Sequence, residues 1–333
     1  APDGTRWLTV TGVSVLIELS LRRLPPYKPG DTQIHQIGLS CNPLPPVGYG
    51  GAETVIANLT QGLVAIDVPV VCYAPEPFGI ARAGHWPTLS EASSGPKQGQ
   101  PSANTPEHLE RVLAGLRCHA RSGDIVHLHH EEHYPFLQKH CKQLPRLRYV
   151  ETAHWVRTSL DRNNVYPSRA LQQQIGKPGV VIPHGIDLER FKPQLKPGDY
   201  IFYAGRLTED KGIDLAVEAA CEFGIELRLA GPLTDHDYAS GFLDRVNYLG
   251  ELHGEQLVDQ YRYARALVYM TRYTEPFGLA VVEAMACGTP VLTSGLGGTG
   301  ETVIDNKTGF ICETVEQLLA ALDKLDRKNS TDC

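Results

Sequence analysis

Short apolar runs alternate with amphipathic helical stretches along this chain, and the alternation starts twice. Such turn-taking predicts parallel sheets with helices on both faces, because each crossover between parallel strands needs a helix-length connection. The first series opens at Ile34 with the strand IHQIGLS. CNPLPPVGYGG follows, a Pro/Gly loop that cannot be helix, then an amphipathic helix from Ala52 with Val55, Ile56, Leu59 and Leu63 on one stripe. Next come strand PVVCYAP (69–75), a Gly/Ser/Pro-rich surface loop over 85–105, helix 106–118, strand DIVHLHH, helix 135–143, strand RLRYVETAH, helix 168–175 and strand VVIP. The second series restarts at Tyr200 with strand YIFYAG and helix 212–223. Strands IELRLAG and VNYLG, helix 255–264, strand ALVYM, an apolar helix after Gly278, strands PVLTS and GFIC and helix 315–327 complete it. The expected fold class is α/β, with two Rossmann-like doubly wound domains joined near 191–197. Their spans are 1–193, with 1–33 as an extension, and 194–333. The C-terminal ends of both sets of strands are expected to face a shared cleft, where such sheets bind ligands.

Length agrees with two domains, since 333 residues exceed what one core usually serves. The net charge of −7 argues against general nucleic-acid binding, which needs a basic footprint. Eight Cys are scattered without CxxC spacing and read as free thiols of a reducing, cytoplasmic compartment. Apolar neighbours place Cys72, Cys221 and Cys287 in the core. The chain has no run of about 18 apolar residues to span a membrane. The alternating run 13–21 reads as an edge strand, and with Arg22 and Arg23 behind it the same stretch allows a peripheral membrane contact.

Residues fit for chemistry gather in four places. EPFGLAVVEAMACG (275–288) sets Glu275 just ahead of a helix start, Glu283 within the apolar helix and Gly288 at its left-handed end. A helix start attracts phosphate through unpaired N–H groups and partial positive charge. Carboxylates at its tip and about two turns along suit a ligand with a charged centre and hydroxyl-bearing ends, such as a nucleotide sugar; the plainer alternative is a buried helix with two surface Glu. Arg206 and Lys211 lie in the loop after the second series' first strand and offer a planar fork and a mobile point charge for a diphosphate. Gly50 and Gly51 stand at a strand–loop–helix junction, where bare backbone can approach a ligand. HLHHEEH gathers His127, His129, His130 and His133 without HExxH spacing or Cys partners for zinc. His127 and His129 share one sheet face; one His bonding a ligand is expected, with the remainder solvated. Two motifs read as decoys. GLGGTG (295–300) is too closely followed by Glu301 to Asp305 for a dinucleotide-site helix, and Asp235-His236-Asp237 reads as a surface turn.

Four segments in order, PPVGYGGAE, VIPHGIDLERFKP, YAGRLTEDKGIDLAVEAA and EPFGLAVVEAMACGTPV, resemble the retaining glycosyltransferases of the GT-B fold, family GT4, over about 34–310. The last is similar to the family's Glu-x7-Glu hallmark. The resemblance implies a metal-independent, cofactor-free hexosyltransferase. It would move a glucose- or mannose-type hexose from a nucleotide diphosphate sugar to a hydroxyl of a glycan, lipid or small-molecule acceptor. It also implies roles. Glu283 would accept the ribose hydroxyls, and Glu275 would hold the transferred sugar's. Arg206 and Lys211 would neutralise the diphosphate, helped by the N–H groups of Gly278 and Leu279, while Gly51 closes on the phosphates or acceptor. His129, or else His127, would contact the sugar, with His154 and Gly50 lining the acceptor side. A nucleotide-sugar epimerase of the same fold and a non-catalytic nucleotide-sugar-binding subunit stand as alternatives.

Overall fold

The computed structural model describes residues 9–10, 13–14, 32–46, 48–88, 104–194 and 198–331. The rest of the run 13–21, Arg22 and Arg23, residues 89–103 of the expected loop and 195–197 of the expected junction lie outside the described residues. A short antiparallel pair, β1 (Thr9–Val10) and β2 (Val13–Ser14), comes first. Two compact units follow, parting between Gly185 and Ile186.

The N-terminal unit runs β3 (Ile34–Ile37), α1 (Gly51–Ala65), β4 (Val70–Ala74), β5 (Gly84–Pro87), α2 (Pro106–His119), β6 (Ile125–Leu128), α3 (His133–Lys139), β7 (Arg148–Thr152), β8 (Asn164–Tyr166), α4 (Arg169–Ile175) and β9 (Gly179–Val181). Its sheet has the order β5-β4-β3-β6-β7-β8-β9, every pair parallel. Helix starts follow local chemistry. Thr105 accepts a bond from His108 N at 3.2 Å with Pro106 at the first helical position, and Ser168 accepts from Leu171 N at 3.1 Å. Two expectations are corrected, and one strand is added. The loop assigned to 85–105 begins as β5, recruited by pairing Val71 with Gly84 rather than by any apolar alternation. Helix 135–143 is α3 plus a separate 3-10 turn at Cys141–Gln143, because His140 N turns back to Leu137 O at 3.1 Å. β8 spans three residues, too few to show a period.

The C-terminal unit runs β10 (Tyr200–Ala204), α5 (Ile213–Phe223), β11 (Glu226–Ala230), α6 (His236–Ser240), β12 (Asn247–Tyr248), α7 (Gly254–Tyr263), β13 (Ala266–Tyr269), α8 (Leu279–Ala286), β14 (Val291–Thr293), α9 (Gly298–Thr302), β15 (Gly309–Ile311) and α10 (Val315–Thr331). The order is β12-β11-β10-β13-β14-β15, again all parallel. All five residues of β10 and all four of β13 are buried, as a sheet covered on both faces requires. The Asp235 segment is a short helix rather than a turn, since Asp235 accepts a capping bond from Tyr238 N at 3.0 Å. Cys72 and Cys287 are buried, but Cys221 faces out, because Ile213, Ala216, Val217, Ala219 and Ala220 already fill the inner side of α5.

Each sheet is built outward from its first strand in both directions, so the order reverses beside β3 and beside β10. Loops leaving the C-terminal ends of β3 and β6, and of β10 and β13, diverge there and leave room for a ligand. The apolar cores differ. The C-terminal unit has one continuous cluster around Phe202, Leu229, Leu267, Val281 and Leu322. The N-terminal unit has separate clusters, around Leu116 and Leu128, around Ile56 and Cys72, and around Tyr166 and Leu171. Polar groups, His35, Gln36, His108, His127, His129 and His133, are buried in the same unit.

Candidate active site

In the C-terminal unit, β10 delivers Arg206 to the surface, its carbonyl accepting the Tyr203 hydroxyl at 2.7 Å. A 3-10 turn then points Lys211 inward. Gly212 makes this fit: its φ is +63°, and a Cβ there would lie 2.0 Å from the Met270 carbonyl. The turn is thereby pressed against the end of β13. Arg272 secures the contact from the other side, through its N–H to Asp210 O at 2.8 Å and its guanidinium to Glu209 O at 3.1 Å and Asp214 Oδ2 at 2.5 Å. Burial pushes the Asp214 carboxyl up, but bonds from Arg272 and Tyr238 outweigh it and hold the group below its usual range.

Lys211 is only 3% exposed and pairs with Glu275, itself 8% exposed, at Nζ–Oε2 2.9 Å. Tyr269 and Tyr273 surround the pair. Nζ also bonds the Tyr269 hydroxyl at 3.2 Å and the Tyr273 hydroxyl, and both hydroxyls donate to Glu275 Oε2, at 3.0 and 2.6 Å. The ammonium lies 4.7 Å from the Tyr273 ring centroid. The expected mobile loop cation is therefore a buried, fully engaged one. The tyrosines were missed in the sequence, yet Tyr269, Thr271, Tyr273 and Glu275 fall at every second position, which on extended backbone places them on one side.

The Gly-rich decoy has a structural task. Leu296 O accepts Glu275 N at 3.3 Å, and Gly298 N donates to Glu275 O at 2.7 Å. Gly297, at φ +72°, comes so close that a Cβ would sit 2.3 Å from the Glu275 carbonyl. GLGGTG thus clamps the Glu275 backbone and opens α9. Downstream, Gly278 at φ +86° starts α8 with no side-chain cap, and its carbonyl accepts Val281 N at 3.1 Å. Leu279 is the first helical residue, and Gly288 at φ +83° follows the helix end as expected. Glu283 lies buried on α8. Burial raises its carboxyl above the usual range, opposed by a hydrogen bond with Tyr261 and by the charge of Arg190.

In the N-terminal unit, Gly50 precedes α1 and Gly51 begins it, at the C-terminal end of β3. A Cβ on Gly50 would meet Pro46 Cβ at 2.8 Å, whereas one on Gly51 would meet nothing within 4 Å. The histidines lie on β6, the strand paired with β3, and in the segment that follows it. His127 Nε2 bonds Thr152 Oγ1 at 2.8 Å and its ring stacks on His129 at 4.3 Å. His129 engages both ring nitrogens, Nε2 with Gln36 Oε1 at 2.7 Å and Nδ1 with His154 Nε2 at 3.0 Å. His154 stacks in turn on His184, with centroids 5.5 Å apart. The expected solvated remainder is not solvated. His133 is fully buried: its Nδ1 accepts His129 N at 3.4 Å, so its Nε2–H donates to Asn104 Oδ1 at 3.2 Å. His130 packs edge-on against Trp155 at 5.0 Å and is 5% exposed. Burial drives His127 and His184 down to about 4 and His129, His133 and His154 well below 6.5, so the array is neutral at pH 7. Among the described residues no group of three or more His, Cys, Asp or Glu is arranged to hold a metal ion, and no helix is long and apolar enough to cross a membrane.

Known proteins agree with this architecture. The model of the family described as glycosyl transferases group 1 matches residues 186–331. A glycogen synthase of Mycobacterium tuberculosis (strain CDC 1551 / Oshkosh) is 35% identical over 148 residues, 40% of this chain but only 35% of its own length, so the match spans about a third of that relative. A D-inositol 3-phosphate glycosyltransferase of Rhodococcus erythropolis (strain PR4 / NBRC 100887) is 28% identical over 343 residues, 83% of this chain and 74% of that one. Among solved structures, AviGT4, a glycosyltransferase involved in avilamycin A biosynthesis, superposes with a TM-score of 0.69 at 24% identity, covering 89% of this chain and 91% of its own. With two doubly wound parallel sheets the chain has the GT-B fold, and its segment 186–331 matches the group 1 glycosyltransferase family.

Proposed function

We propose that this chain is a retaining hexosyltransferase that moves a hexose from a nucleotide diphosphate sugar to an acceptor hydroxyl without a metal. The observation that carries the reading is the Lys211–Glu275 pair at the end of β13, with Lys211 on the loop that also carries Arg206 and Glu275 just ahead of the uncapped start of α8, inside the segment that matches the family. Glu275 receives the sugar's hydroxyls and Glu283 the ribose's. Arg206 and the N–H groups of Gly278 and Leu279 donate to the departing diphosphate, roughly 3 kcal/mol for each such preorganised donor, and Lys211, whose protons go to Glu275 and the two tyrosines, acts on it through its charge. With the leaving phosphate taking the acceptor's proton, displacement on one face needs no protein nucleophile. On the acceptor side, with Gly50 and Gly51, His154 is the imidazole that meets ligand. His129 stands behind it, since both its nitrogens are engaged, and His127 is held by Thr152.

The test is a thermal-shift screen with UDP, GDP, ADP and their hexoses, followed by turnover with acceptor panels in the presence of EDTA. A ligand that binds only the folded state raises the melting temperature by mass action. One nucleotide hexose is expected to stabilise and to be consumed, with EDTA without effect, and a folded Glu275→Gln variant is expected to be inactive. A folded wild type that responds to none of them sinks the proposal. Inversion of the sugar with donor alone replaces it with the epimerase reading.

A further inference from the structure

Glu275 meets three donors, and all of them reach one oxygen. Oε2 accepts from Lys211 Nζ at 2.9 Å, from the Tyr269 hydroxyl at 3.0 Å and from the Tyr273 hydroxyl at 2.6 Å, while among the described residues Oε1 takes none. The ammonium is used up in the same way. Its three protons have three acceptors: Oε2, the Tyr269 hydroxyl at 3.2 Å and the Tyr273 hydroxyl. Each tyrosine therefore acts twice, accepting from the ammonium and donating to the carboxylate. A carboxylate tethered this way cannot rotate without breaking three charge-assisted bonds together. Only Oε1 is left to accept.

We propose that Tyr273, backed by Tyr269, is a positioning residue: it ties Lys211 and Glu275 into one assembly and presents Oε1 of Glu275 alone to the sugar hydroxyls of a nucleotide hexose. The inference rests on the reading of Glu275 as the sugar-binding carboxylate. Tyr273 is the informative member of the pair, because Tyr269 is a core side chain at 5% exposure whereas Tyr273 sits half-buried on the loop. Removing its hydroxyl leaves the core intact and takes one donor from Oε2 and one acceptor from Lys211. The carboxylate then gains freedom to turn, and misplacement of a group near the reacting atoms lowers the rate of the chemical step more than it weakens donor binding.

The experiment uses whichever of UDP-glucose, GDP-mannose and ADP-glucose the wild type turns over, together with versions of that donor lacking single sugar hydroxyls. Tyr273→Phe is expected to stay folded with a lower melting temperature and to lower kcat by about tenfold or more, while the affinity for the free nucleoside diphosphate stays at the wild-type value. The loss should vanish with the donor that lacks the hydroxyl held by Oε1, because nothing is then left to position. A Tyr273→Phe enzyme with wild-type kcat, or one with the same loss on every deoxygenated donor, overturns the positioning role alone. A wild type inactive with all three donors overturns that role and the function it rests on.

Discussion

Where the order of the N-terminal sheet reverses, the buried polar groups are neutral imidazoles that share protons with one another, with Gln36 and with Thr152. At the matching place in the C-terminal sheet they are full charges, Lys211 and Glu275, bridged by two phenols. The contrast follows from the surrounding cores. One continuous apolar cluster supports the C-terminal strands, so a single charged pair can be placed at their end and enclosed. In the N-terminal unit the apolar clusters are separate, and hydrogen-bonded side chains are buried along with them. Such groups are tolerated inside when they are neutral and paired. The two units should therefore fail in different ways, one by loss of a countercharge and the other by gain of protons.

The largest effect belongs to the ion pair. Removing one member of a buried pair strands the other, at a cost of about 3–5 kcal/mol. Lys211→Met should lower stability in urea denaturation by that amount, and adding Glu275→Gln should recover most of the loss, because the stranded charge is gone. A single variant that loses less than about 1 kcal/mol, the value of an exposed pair, would show that water reaches Lys211 and would erase the contrast.

Protons test the other unit. His127 titrates at 6.5 when exposed and at about 4 in the fold. As pH falls, the unfolded chain takes up this proton first, so stability is lost between those two values. The cost is on the order of 3 kcal/mol for one such imidazole. His184 adds to it in the same window. In the C-terminal unit His236 and His253 are exposed, and Glu283, raised by burial, works the other way: its protonation as pH falls relieves the buried charge. Hydrogen exchange at pH 7 and pH 5 should show β3 and β6 losing protection more than β10 and β13. Equal losses would mean that the imidazole array is already open to solvent.

This division was only partly legible in the sequence. Strand–helix alternation was enough for two doubly wound sheets, since full burial makes β10 and β13 continuous apolar runs. Glu275, Glu283, Arg206 and Lys211 were legible as candidates from their places at helix starts and strand ends. Their state was not, because burial of Lys211 depends on Gly212 meeting the Met270 carbonyl, a contact between segments far apart in the chain. His133 was misjudged for the same reason, its partner Asn104 lying 29 residues away. The part played by GLGGTG could not be read from its glycines either, since what they approach is the Glu275 backbone and not a ligand.

Glycines make the next comparison, at smaller scale. Gly297→Ala would force φ near +72° on a residue with a Cβ and drive that atom to 2.3 Å from the Glu275 carbonyl. Such backbone costs about 1–3 kcal/mol, and the displaced loop should weaken binding of the nucleotide hexose as well. Gly51→Ala has open space around the new atom and sits at a helix start, so stability should be unchanged or slightly higher, by up to about 1 kcal/mol. Melting curves and donor titrations of the two variants separate a glycine needed for close approach from one that is merely permitted.

The smallest expected loss comes from Gln36, and its smallness is informative. Its Oε1 bonds His129 at 2.7 Å, but its Nε2 is buried without a partner among the described residues. Gln36→Leu removes a bond with a net value of about 1 kcal/mol. It also removes a stranded donor and leaves His129 Nε2 stranded instead, two desolvation penalties of similar size that nearly cancel. The net loss should therefore be close to about 1 kcal/mol, well under that of Lys211→Met, although Gln36 is the more completely buried side chain. Thr152→Val strands His127 Nε2 with no such offset and should cost more, about 1–3 kcal/mol. Urea denaturation of both at pH 7 gives the order. If Gln36→Leu proves the costlier, Nε2 has a partner such as an internal water, and the neutral array reaches further into the N-terminal unit than the imidazoles alone.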